Sequence, residues 1–142
     1  MTHTNLNPSR FVKVPYELLF RYTLLPKYKA EMSTLYALLI HYFNVETGYA
    51  WPNVDTLALS YGKSVRTTSE HLAILEEYGL LSACYDGNKK LFRPLAPIED
   101  EAEFYRQYPA AEAERKRRET VREVERKRSA DNMARRRRVV TE

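Results

Sequence analysis

Apolar residues recur at helical spacing through the first two thirds of the chain, give way once to an alternating pattern around a Gly turn, and become sparse after Ile98. Between Ala30 and Asn44, Leu35, Leu38, Leu39, Tyr42 and Phe43 follow a 3.6-residue repeat, which predicts the first core helix. Asn53 to Tyr61 predicts a shorter second helix that buries Leu57 together with Val54 and Ala58, is capped by the Asn53 side chain and ends at Gly62. Ser64 caps a third helix. At 100° per residue, Val65, Thr68, Leu72 and Leu75 form its inward stripe, so Arg66, Ser69, Glu70, Ala73 and Glu77 face outward with Thr67 on one flank. Gly79 stops this helix.

Leu80 and Leu81 lead into a strand, and Asp86-Gly87-Asn88 is a hairpin signal because Asp-Gly accepts the positive φ of a tight loop. The return strand runs from Lys89 to Arg93 and is closed by Pro94, with Lys89 and Lys90 at the tip, Arg93 below them, and either Leu91 or Phe92 turned inward. Upstream, FVKVPYELLF alternates as far as Pro15 and reads as a strand or extended arm entering a short helical turn. In the loop VETGYAWPN, Gly48 is the permissive residue and Trp51 is expected to roof the core.

Charge divides the rest of the chain. Residues 1 to 98 hold ten Lys/Arg against eight Asp/Glu, residues 99 to 114 one against six, and residues 115 to 138 twelve against four, so an acidic block precedes a basic one. The last 44 positions contain no Leu or Ile, which places the expected core before about residue 98. Pairs Glu112 with Lys116, Glu114 with Arg118, Glu123 with Lys127 and Asp131 with Arg135 have i, i+4 spacing with the acid first, which favours a solvated helical arm ~40 Å long. Val121 and Val124 give too small a seam for a coiled coil. The layout is a flexible stretch at 1–9, a domain at 10–97 and a charged arm at 98–142 with a basic, disordered end.

A net charge of +4 suits a polyanionic partner. Cys84 is the single cysteine and cannot form an internal disulfide, and no apolar run approaches the ~18 to 20 residues that span a bilayer, so a cytoplasmic protein with no membrane partner is expected. His3, His41 and His71 are far apart, and no phosphate-cradling Gly loop or nucleophile motif is present, so no metal, cofactor or enzymatic activity is expected. The eleven tyrosines read as mixed core and surface packing and not as an exposed stacking platform for single strands.

Residues 53 to 81 resemble the winged helix-turn-helix families of bacterial regulators and mobile-element replication proteins. Leu57-Ala58 stands where those families carry a Leu-Ala pair before the turn; Ser64-Val65-Arg66-Thr67-Thr68-Ser69-Glu70-His71-Leu72 looks like their recognition helices, and Leu75-Glu76-Glu77-Tyr78-Gly79-Leu80-Leu81 like their helix exit. FVKVPYELLF, the leucine-rich helix and Trp51 are similar to the N-terminal domains of plasmid replication initiators and phage replication proteins. Glu70 departs from the pattern, since many relatives carry Lys, Arg or Gln there, and no second folded domain is expected after the wing. The fold implied is mainly α with a small β-hairpin wing, followed by the charged helical arm.

The resemblance implies a duplex DNA-binding protein, a transcriptional or replication regulator of a bacterium or mobile element, that reads the major groove with the helix starting at Val65. The DNA-facing set is Asn53, Lys63, Ser64, Val65, Arg66, Thr67, Ser69 and Glu70, with Lys89, Lys90 and Arg93 on the wing. Arg66 is the preferred base or phosphate reader, its other role being an ion pair with Glu70. A homodimer would match half-sites about one helical turn apart. Arg135 to Arg138 either track a nucleic-acid backbone or form a functionless end. The competing reading is a protein-interaction adaptor in plasmid or phage replication or segregation, whose arm docks a partner protein.

Overall fold

Pro15 fixes the turn from an extended segment at 11–15 into α1 (Tyr16–Phe20), the first helix of a computed structural model that describes residues 10–44, 49–50 and 52–141. The segment at 1–9, Gly48 and Trp51 lie outside the described residues. A single 3₁₀ turn (Tyr22–Leu24) follows, then α2 (Met32–Tyr42), somewhat shorter than its apolar repeat predicts. Met32, Leu35, Tyr36 and Leu39 line the buried side of α2, at the i, i+3, i+4, i+7 spacing that puts residues on one face. That face packs against α3 (Val54–Tyr61), α4 (Val65–Glu77) and the sheet.

The sheet has four antiparallel strands in the order β1 (Phe43–Asn44), β2 (Tyr49–Ala50), β4 (Lys89–Pro94), β3 (Leu81–Asp86). The wing predicted from the Asp-Gly turn is β3 and β4, paired from Leu81↔Pro94 out to Asp86↔Lys89. β2 joins β4 only at Ala50↔Phe92, near the base of the wing. Leu91 and Phe92 are both buried, where the sequence asked for one. Phe92 joins the main core cluster and Leu91 does not, and both line a groove between the wing and the start of α3.

The core does not end at residue 98, and this corrects the expectation from composition. Phe104, on α5 (Glu101–Gln107), and Ala111, at the start of α6 (Pro109–Thr141), are fully buried and complete the cluster that Leu18, Tyr22, Leu24, Leu25 and Tyr28 begin. The Tyr22 and Phe104 rings meet at 4.9 Å and the Phe104 and Tyr108 rings at 5.3 Å, within the range for favourable aromatic pairs. Buried hydroxyls are satisfied across long sequence distances. Tyr22 accepts from the Ile98 N–H at 3.1 Å, Tyr36 donates to the Leu95 carbonyl at 2.9 Å, and Tyr28 bonds Ser33 at 2.7 Å, Ser33 in turn donating to the Leu18 carbonyl at 3.1 Å. Burial pushes the Tyr28 and Tyr36 phenols up to about 12, so both remain protonated donors at any physiological pH.

α6 is one helix of 33 residues, about 50 Å long, and it continues through Arg135 to Arg138 where a disordered end was expected. Its root is fixed by Arg118, which donates to the Thr23 carbonyl at 3.0 Å, and by Glu114, which accepts from Arg117 and Arg118 and is held by them at a pKa of about 2. Beyond Arg118 every described residue whose exposure is given is exposed. Of the four i, i+4 pairs read from the sequence, Glu112–Lys116 and Glu114–Arg118 form; further out the contacts are i, i+3, Arg122–Glu125 and Arg126–Glu123.

Two variants separate the part of the C-terminal segment that belongs to the core from the part that does not. Phe104→Ala should lower unfolding free energy by about 3–5 kcal/mol in urea denaturation, the range for emptying a buried aromatic site. Deleting residues 119–142 should change it by less than about 1 kcal/mol, because every residue from 119 to 140 is exposed.

Candidate nucleic-acid interface

The turn between α3 and α4 is set by caps at both ends. Asn53 Oδ1 accepts from the Thr56 N–H at 2.8 Å and opens α3; Gly62, at φ 75°, closes it with its own N–H on the Ala58 carbonyl. Ser64 Oγ accepts from the Thr67 N–H at 3.0 Å and opens α4. At the other end, the N–H of Leu80 reaches the Leu75 carbonyl and that of Gly79 (φ 73°) the Glu76 carbonyl, the paired bonds of a Schellman stop. Both glycines adopt the left-handed conformation that a Cβ disfavours.

A buried hydrogen bond locks the angle between the two helices: Tyr61 Oη lies 2.8 Å from His71 Nδ1. Burial lowers the His71 pKa, with Lys29 and Lys63 adding to the effect against Glu31 and Glu70, and burial raises that of Tyr61. At neutral pH the imidazole is therefore neutral and the phenol protonated, and the two share one hydrogen bond between Tyr61 Oη and Nδ1. Thr68, also fully buried, is satisfied by donating to the Ser64 carbonyl at 2.8 Å. With Thr68, His71, Leu72 and Leu75 turned inward, the opposite face of α4 is committed to solvent.

That face carries Arg66, Ser69, Glu70, Ala73 and Glu77, all exposed, and Thr67 half-buried at the flank. The Arg66 side chain is 90% exposed and bonds Glu70 through Nε at 3.3 Å. Val65, placed on the inward stripe by its angle, is 47% exposed. It is the first residue of α4 and lies ahead of the turn where the helix meets its neighbours, so it stands on the outer surface beside Arg66. Thr67 Oγ1 accepts a second bond from Ser64 Oγ at 3.0 Å, which ties both hydroxyls into the cap. Lys63 is drawn toward α2 by an ion pair with Glu31 at 3.3 Å, while Glu77, at the far end of α4, holds Lys27 at 3.0 Å.

Lys89, Lys90 and Arg93 are exposed along β4. The Lys90 ammonium lies 5.8 Å from the Tyr85 ring and 5.6 Å from the Phe92 ring, cation–π distances that steady it at the tip. A groove of about 360 Å³ runs between the wing and the start of α3, lined by Asn53, Val54, Asn88, Lys89, Lys90 and the stem residues Leu91 and Phe92. The structure thus gathers Asn53 with the wing cations and Ser64 to Glu70 on the first turns of α4. Lys63 is engaged elsewhere.

Asn88 and Tyr85 were not among the residues singled out by sequence. Asn88 was read only as part of a turn, and Tyr85, 70% exposed, was hidden in a general count of tyrosines, although its strand position two residues before Gly87 marks it as a tip residue. The expectation of no exposed aromatic platform is also corrected. Tyr16 and Phe20 stack at 4.4 Å on the surface with Arg21 6.0 Å above the Tyr16 ring, and Phe11 is exposed nearby in sequence.

Residues 34–81, spanning most of α2 through the start of β3, match a family model described as a helix-turn-helix domain. Among solved structures, one described as "N-Terminal domain of DNA binding protein" is similar over 74% of this chain and 92% of its own, with 17% sequence identity and a TM-score of 0.52, a likeness of fold. Another, "Structure of MDR initiator", covers 71% of this chain and 88% of its own at 19% identity and a TM-score of 0.49. No curated protein matches the sequence.

The Tyr61–His71 joint makes the interface acid-sensitive. His71 binds its proton less readily in the folded chain than the ordinary value of 6.5, so the folded state takes up fewer protons than the unfolded one and stability falls as pH drops below about 6.5. Above that pH this group contributes no slope. His71→Phe should flatten the loss between about pH 6.5 and 5 in denaturation curves, and should cost about 1–3 kcal/mol at neutral pH by leaving the Tyr61 hydroxyl without its partner.

Proposed function

We propose that this winged helix-turn-helix protein binds duplex DNA, entering the major groove with the first turns of α4 and gripping the adjacent backbone with the wing. The single observation that carries the reading is the outward face of α4: Arg66, Ser69, Glu70 and Ala73 are exposed and small or polar, on a helix held rigid from behind. Such a surface fits a groove about 12 Å wide. The helix N-terminus, with no acid in its first turn, adds a favourable field for phosphate. Lys89, Lys90 and Arg93 supply the backbone contacts, and Asn53 and Asn88 face the same groove from the start of α3 and the wing tip.

Magnitudes decide the role of Arg66. An exposed i, i+4 ion pair contributes about 0.3–0.5 kcal/mol, whereas a bidentate contact to a guanine edge contributes about 1–3 kcal/mol, so the pair with Glu70 yields when a base is offered. Glu70 then accepts from a cytosine amino group or sets the angle of Arg66. The role that fits is regulation of transcription or replication in a bacterium or on a plasmid or phage, in the cytoplasm, by two copies on a two-fold site. This reading assigns binding and no catalysis to the chain.

Arg66→Ala should lose about 1–3 kcal/mol on the preferred duplex in a mobility-shift assay and should relax base preference at one position; unchanged affinity rejects the assignment. Lys89→Ala with Lys90→Ala should weaken binding to all duplexes alike and make the decline of log affinity with log salt shallower by about 1 to 2. A protein that acts as an adaptor gives no salt-sensitive shift with any duplex.

A further inference from the structure

The distal half of α6 is not explained by the α4 interface. From residue 119 to 140 every residue is exposed, and the segment holds no Leu, Ile, Phe or Trp. Viewed down the axis at 100° per residue, Lys127, Arg128, Arg135 and Arg138 fall within an arc of about 100°. Glu119, Glu123 and Glu125 lie outside that arc, and Glu123 and Glu125 are neutralised locally by Arg126 and Arg122 at 3.3 and 3.4 Å. Asp131 is the one acid inside it among the described residues. Among the described residues, no ion pair engages Lys127, Arg128 or Arg135.

A helix without tertiary packing is marginal in water, and clustered like charges weaken it further, so a cationic stripe of this kind needs a counter-surface. Its chemistry selects the partner. Val121, Val124 and Val139 fall on one side of the helix and Met133 and Val140 on the other, so α6 has no continuous apolar face of the kind that a protein groove or a membrane interface takes. A polyanion matches. A helix about 10–12 Å across lies within a major groove about 12 Å wide, with long cationic side chains reaching the phosphates on its banks.

We propose that the distal half of α6, through Lys127, Arg128, Arg135 and Arg138, is a second and sequence-independent docking surface for the phosphate backbone of duplex DNA, separate from α4. It reads no bases. Rooted at Arg118 on Thr23, it raises the residence of the whole chain on any duplex while α4 selects among sites.

The test uses the full chain and a random-sequence duplex, with fluorescence anisotropy across a salt series. Two triple variants remove three charges each from opposite sides of α6: Lys127→Gln, Arg128→Gln, Arg135→Gln on the stripe, and Arg122→Gln, Arg126→Gln, Arg136→Gln behind it. The stripe variant should make the slope of log affinity against log salt shallower by about 2 to 3, and the rear variant by less than about 1. The rear variant also breaks two ion pairs, so any loss of helix works against the expected difference. Equal slopes for the two variants overturn the proposal, as does failure of the parent to bind a random duplex or parent affinity for polyglutamate equal to that for DNA. Arg66→Ala separates the two interfaces: it should reduce preference for a specific site, and the loss of slope caused by the stripe variant should be as large in the Arg66→Ala background as in the parent. A stripe effect that vanishes in that background overturns the proposal.

Discussion

The hydrogen bond between Tyr61 and His71 is the constraint from which the outward face of α4 follows. It joins the end of α3 to the middle of α4 in a buried setting, where an unpaired partner costs more than the bond itself contributes. The bond ties one atom of each helix's side chain, Tyr61 Oη and His71 Nδ1, at 2.8 Å. α4 cannot roll about its axis without breaking it, and rolling is the motion that would carry Arg66 away from solvent. The hydrophobic stripe of α4 sets which way it faces approximately; the polar joint sets the angle.

A second group of phenols does for the whole domain what Tyr61 does for one corner. Tyr22, Tyr28 and Tyr36 bridge the N-terminal arm, α2 and the chain leaving the wing, and Tyr108 reaches the Tyr78 carbonyl at the end of α4 at 3.3 Å. These residues bury large rings and still satisfy their hydroxyls, which explains why a domain of modest size tolerates so many tyrosines. They also bring α5 into the core, so the acidic stretch at 99–103 is the outer side of an element whose inner side is Phe104.

Boundaries written into adjacent residues were legible in the sequence: the Asn53 and Ser64 caps, the Gly62 and Gly79 stops and the Asp-Gly hairpin each depend on a few neighbouring positions. What was not legible depends on partners distant in the chain. Phe104 belongs to the core because Tyr22 is there to receive it, and one phenylalanine among acids gives no periodic signal. β1 and β2, two residues each, are too short for alternation to register. Angle alone placed Val65 inward, since helical phase carries no information about depth along the axis. In the sequence His71 stands out as one residue of the recognition-helix segment and as a histidine without metal-ligand companions, yet its position three residues after Thr68 puts it on the buried stripe. The Lys63–Glu31 pair, between α3's end and α2, has no local trace at all.

The pairing of β2 with β4 at Ala50↔Phe92 divides the wing into two mechanical regimes. Near that point the ribbon has a third strand against it and keeps its register; beyond it, two strands alone connect Cys84–Leu91 to Asp86–Lys89. A two-stranded ribbon twists and bends easily. Arg93 therefore sits on a stiff pedestal, while Lys89 and Lys90 ride on a compliant finger, able to shift without disturbing the body that carries α4.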